Sequence, residues 1–220
     1  MNNTTILKMI KLLDENNTQE IKEILTAELL KAEKQPQKAQ FFTTIKKFLN
    51  NKNIFDRPQL KTIMHKGNKQ FICNGIELYV FNSNREELQA LPQTPEEETT
   101  LDYAPILNID HSKLESLNSN DIFVLENLNK YINYFKATQK DNKDVYIPFN
   151  ECLYNTKLLK NFVAIYGGNF DNIKQQKRDF AFVTTNGDIE SVVLSLRPND
   201  EMLAKYNQIF NDFKQQLSNN

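Results

Sequence analysis

The stretch FAFVTTNGDIESVVLSLR, Phe180–Arg197, reads as two strands folded back on one turn. Asn186-Gly187 supplies the positive backbone angles that a tight hairpin needs. Strands are expected at Phe180–Thr185 and Ile189–Leu196, and Arg197-Pro198 stops the second. Immediately upstream, Phe170–Gln176 has the composition of a third strand. Before it, Phe149–Tyr166 is expected to be helical, with Leu153, Leu158, Leu159, Phe162 and Val163 as its apolar stripe and Gly167-Gly168 as its end. A helix covering one face of an antiparallel sheet is the simplest way to bury both stripes.

Working toward the N-terminus, the same order recurs. A helix is expected from about Lys38 to Asn51, with Phe41, Phe42, Ile45, Phe48 and Leu49 inward. Strands follow at Gln59–Met64, Lys69–Cys73 and Ile76–Phe81, turned by His65-Lys66-Gly67-Asn68 and by Asn74-Gly75. The fold class is therefore α+β, with two helix-plus-antiparallel-sheet units at about 38–82 and 149–197 packed face to face. Residues 83–148 connect them. This connection holds an acidic, Pro-punctuated loop at Leu91–Glu98, one helix from Asp121 to about Thr138, a charged turn at Gln139–Lys143 and a strand at Val145–Pro148. Residues 1–34 read as a helical hairpin: Ile6, Met9, Ile10 and Leu13 form one stripe, and Ile21, Ile24, Leu25 and Leu29 the other. Asn16-Asn17 breaks the two, Thr18 caps the second helix, and Gln35-Pro36-Gln37 ends the hairpin. Its apolar face must pack on the body or on a partner chain. A last helix spans 199–217, capped by Asn199 or Asp200, with Met202, Leu203, Tyr206, Ile209, Phe210 and Phe213.

Composition excludes several classes. The chain has 220 residues, 40 % hydrophobic and 25 % charged, with 15 Phe and 8 Tyr to bury, so neither wholesale disorder nor collagen fits. No apolar run approaches the ~20 residues of a membrane span. Met1-Asn2-Asn3-Thr4 lacks a secretion signal's basic and apolar regions. Two cysteines are too few for a disulfide scaffold, which points to a reduced, cytoplasmic setting. The net charge of −1 gives no global attraction for nucleic acid, although phosphates sense local charge.

Catalytic constellations are scarce. His65 and His111 fall in expected turns or loops, and Cys73 and Cys152 sit beside apolar residues as buried thiols usually do. A Cys–His pair brought together in space stays open. Glu20-Ile21-Lys22 fits an acidic-x-Lys nuclease pattern, but it lies on an amphipathic helix and not on a sheet edge. Asp188 and Glu190 share a strand face, and Glu96-Glu97-Glu98 is a solvated run. Gly167-Gly168 follows a helix, the wrong end for an anion. The expectation is a protein without enzymatic activity, cofactor or metal. Lys46, Lys47 and Lys52 on the first helix, and Lys157 and Lys160 on the second, could contact phosphates without reading bases. Surface lysines on helices are also routine.

Phe149-Asn150, Tyr154, Leu158-Leu159 and Gly167-Gly168, followed by the Asn186-Gly187 hairpin, resemble the closing helix and hairpin of the bacterial DNA polymerase III beta sliding clamps and their phage-borne relatives. Ser195 stands where that family usually has Pro before its final apolar residue and Arg. Arg57-Pro58-Gln59-Leu60 and Phe71–Leu78 resemble the clamp's earlier hairpin, with Asn74 replacing the usual Asp. The resemblance covers about 38–197. It implies a single clamp-like domain with helices lining a DNA-facing surface, and no reaction. It further implies sequence-independent duplex DNA binding in replication or processivity, through Lys46, Lys47, Lys52, Lys157 and Lys160. The alternative is a clamp-fold adaptor without DNA binding, partnered by a replication protein or by itself. The family's chain holds three such domains in a dimeric ring, whereas this chain holds one and adds helices at both ends.

Overall fold

A computed structural model describes residues 3–50, 57–107, 109–140, 144–149, 152–176, 181–184, 186–196 and 198–219. Lys52, residues 141–143 of the charged turn, Asn150, Phe180, Thr185 and Arg197 lie outside them. The protein is α+β, and its chain divides into two compact units, Met1–Ile106 and Leu107–Asn220.

The first unit opens with α1 (Asn3–Asp14) and α2 (Thr18–Ala32). Asn16 takes a positive φ of 55° between them, a conformation Asn tolerates better than most residues. The cap of α2 is Asn17, not Thr18: its side-chain oxygen accepts the Glu20 N–H at 3.2 Å. Helix α3 runs Pro36–Leu49, starting two residues earlier than expected, because proline is well suited to a first helical position. Its buried Phe41 and Phe48 meet Phe81 and Tyr79 edge-on, at 5.5 and 5.8 Å between ring centres. Tyr79 and Phe81 share one face of a strand two residues apart, so α3 covers that face.

The strands are β1 (Ile63–Lys66), β2 (Lys69–Cys73), β3 (Glu77–Phe81) and β4 (Gln93–Thr94), in the order β4-β1-β2-β3. The expected strand over Gln59–Met64 is corrected: Pro58–Lys61 forms a 3-10 turn, and pairing begins at Ile63. His65 and Lys66 belong to β1 and pair with Gln70 and Lys69, leaving only Gly67-Asn68 to turn. A one-turn helix, α4 (Ala104–Leu107), ends this region.

The second unit holds β5 (Glu115–Ser116), α5 (Ser119–Glu126), α6 (Leu128–Thr138), the hairpin β6 (Tyr146–Phe149) and β7 (Cys152–Asn155), and then α7 (Thr156–Tyr166). After these come β8 (Ile173–Gln176), β9 (Ala181–Thr184), β10 (Ile189–Val193) and α8 (Asp200–Ser218). Its main strands run in the order β10-β9-β8-β5.

Four expectations change here. The single helix over 121–138 is two, because Asn127 stops the first: its backbone and side-chain N–H groups both donate to the Phe123 carbonyl. The helix expected from Phe149 begins at Thr156. Leu153 exchanges backbone hydrogen bonds with Leu196 instead, and the Asn155 side chain caps α7 by accepting the Lys157 N–H at 2.9 Å. Phe170–Asn172 is a 3-10 turn before β8. The last strand ends at Val193, with Leu196 kept only as that bridge.

Helix α7 covers its sheet as α3 does. Phe162 lies 4.8 Å from Phe182, and the Tyr166 hydroxyl meets the Phe182 carbonyl at 3.0 Å and Ser191 Oγ at 2.8 Å. Each unit thus contains a helix followed by a three-strand antiparallel meander, β1-β2-β3 in one and β8-β9-β10 in the other. Helix α8 is capped by Asn199, which accepts the Met202 N–H. It packs on α5 and α6 through rings: Tyr206 stacks on Phe135 at 5.9 Å, and Phe213 meets Tyr131 at 5.4 Å.

Candidate functional site

The four described lysines do not form one equivalent set. Lys46 is half-buried, and its Nζ lies 2.7 Å from Oε2 of Glu23, a carboxylate that α2 carries against α3. Gln19 donates to the other oxygen of Glu23 at 3.2 Å. The Lys46 charge is thus partly neutralised by a carboxylate of its own fold. Lys47 is exposed one position on. Lys157 and Lys160 are exposed on α7. Lys157 Nζ is 3.7 Å from Asp144, but both side chains are more than half exposed, so water and salt screen the pair.

The candidate nucleophiles differ in their surroundings. Cys73 is buried, accepts the Gly75 N–H at 3.4 Å, and its thiol is pushed up by burial. A neutral thiol is a poor nucleophile. Cys152 is half-buried in β7. His65 Nε2 contacts Gln93 Oε1 at 2.7 Å, and His111 Nε2 lies 3.7 Å from Glu190. Glu20 pairs with Lys8 at 2.6 Å, and the hydrogen bond from Lys8 holds its carboxyl below the usual range. Asp188 accepts from the side chain of Asn186 within its own turn. Glu96–Glu98 forms a 3-10 turn. Among the described residues, no three His, Cys, Asp or Glu side chains are grouped to hold a metal ion, and no helix is long and apolar enough to cross a membrane. A groove of about 400 Å³ between α6 and α8 is lined by Lys130, Tyr134, Thr138 and Phe213 among others, with no histidine, cysteine or carboxylate.

The hairpin α1–α2 carries the clearest surface feature. Leu12, Ile21 and Leu30 are buried and fix it in place. Ile6, Leu7, Ile10 and Leu13 on α1 and Leu25 and Leu29 on α2 are 39 % to 66 % exposed. They are six of the nine large apolar side chains left exposed among the described residues. Concentration on one element separates them from the scattered apolar exposure normal to soluble proteins. Only part of the apolar stripe therefore packs on the body. The signal was in the sequence: Ile6–Leu13 holds six apolar residues in eight positions, more than one buried helix face uses. Glu23, the buried partner of Lys46, carried no such signal, because an acid on a mixed helix looks solvated.

Comparison with protein-family models, with curated proteins and with solved structures found no match to this chain.

Proposed function

We propose that this chain is a non-enzymatic protein-interaction module built on two clamp-type helix-plus-sheet units, with the N-terminal hairpin as its docking element. One observation carries the reading: six half-exposed aliphatic side chains gathered on α1 and α2. Fully burying one such side chain contributes about 1.5–3 kcal/mol, so covering six half-exposed ones is a substantial drive to associate. The Lys46–Glu23 pair adds to the reading, since it partly neutralises a cation that a duplex would use. A photo-crosslinking residue placed at Leu25 in the protein's native cells should give discrete covalent protein adducts, and the same residue at Lys160 should not. Absence of any adduct at Leu25 overturns the reading.

A second reading, sequence-independent duplex binding in replication or processivity, rests on Lys47, Lys157 and Lys160 standing exposed on the helices that cover the two meanders. It requires duplex affinity that falls steeply with salt and drops further in Lys47→Glu with Lys160→Glu. No measurable affinity at low salt ends it.

A further inference from the structure

We propose that the partner of the hairpin is a second copy of this chain, docked by antiparallel pairing of α2 with its two-fold mate. This rests on the hairpin being the docking element proposed above.

The exposed strip of α2 is self-complementary. Leu25 and Leu29 lie one turn apart, and the exposed Lys22 and Glu33 lie on the same side of the helix, one beyond each end of the pair. The base precedes the acid along the chain. A two-fold axis midway between Leu25 and Leu29 sets each leucine against the other's counterpart. The same axis brings Lys22 of each copy beside Glu33 of the other. A parallel arrangement would set like charges together instead. A two-fold interface of this kind uses one patch twice and closes at two copies.

The rest of the hairpin fits the same occupant. Residues 1–34 carry five lysines against six carboxylates, so the patch does not repel itself and does not select a strongly charged ligand. Two hairpins face to face give four helices around a shared apolar seam, to which α1 can add its exposed Ile6, Leu7, Ile10 and Leu13. Helices of 12 and 15 residues give a footprint about 20 Å on a side. That is about 400 Å² per copy and about 800 Å² in total, below the size of a standard stable pair and in the range of weak, transient ones. The expected dimer is accordingly weak, with Kd on the order of tens of micromolar.

Sedimentation equilibrium of the purified full chain tests this between about 1 and 200 µM, a range set to bracket that affinity. The wild type should pass from monomer to dimer and stop there. Leu25→Glu with Leu29→Glu should stay monomeric throughout, with unchanged circular dichroism and denaturation midpoint, since both side chains are solvent-exposed. Lys22→Glu should weaken the dimer about fivefold, and adding Glu33→Lys should restore it. A wild type that remains monomeric at the highest concentration overturns the proposal, as does failure of the charge exchange to restore pairing. If the wild type is monomeric while Leu25 crosslinks to a different protein in cells, the docking role stands and self-pairing falls. If Leu25 crosslinks to nothing, the docking role itself fails.

Discussion

Asn74 shows what one residue contributes. Its side-chain oxygen accepts the N–H groups of Ile76 and Glu77 at 3.0 and 2.8 Å, and its amide donates to the Glu77 carboxylate at 2.9 Å. Glu77 is itself buried and accepts from the Tyr79 hydroxyl at 2.8 Å. One amide thus serves both the turn and, together with the Tyr79 hydroxyl, a buried carboxylate. Asn74→Ala should destabilise the protein by about 2–3 kcal/mol, read as a lower urea midpoint, because it strips partners from buried donors and from a charged acceptor. Asn74→Asp should also destabilise, since it replaces the donating amide with a second carboxylate facing Glu77. The sequence marked Asn74-Gly75 as a turn through its backbone preference. It did not reveal that the side chain is a buried hydrogen-bonding centre, because burial of a polar residue depends on what packs over it.

Among the elements, those with a strong period and a capping signal were legible. Helices α2, α3 and α8, strands β2 and β3, and the β9–β10 hairpin lie close to where periodicity and turn residues placed them, as does the end of α7. The errors share a cause. Phe149–Asn155 has enough apolar residues for a helix, yet Leu153 is committed to a long-range backbone bridge with Leu196, which no local pattern announces. Asn155 was the usable clue, a good cap directly before the true helix start. At Asn127 the same chemistry worked in reverse, and a polar side chain competing for the Phe123 carbonyl cut a periodic segment in two. The candidate surface was half legible. The surplus of apolar residues in α1 could be counted, but which of them the body would bury could not.

At the scale of the whole molecule, stability should fall in alkali. The Tyr131, Tyr154 and Tyr166 hydroxyls are pushed up by burial, above the value near 10 of an unfolded tyrosine. Below about pH 10 both states hold these protons and the stability is intact. As pH climbs past that point the unfolded chain releases protons that the folded chain retains, so unfolding gains. Urea midpoints measured from pH 8 to 11 should decline only above about 10, with a shallower decline in Tyr166→Phe. A flat profile would show that these hydroxyls ionise without unfolding.

Glu23 has a different kind of consequence. It sits where an incoming anion would meet Lys46, tethered there by the fold and so needing no encounter to compete. A polyanion reaching for Lys46 itself must first displace that carboxylate, whereas Lys47 beside it stands open. The hairpin that carries Glu23 is also the one whose outer side is left uncovered.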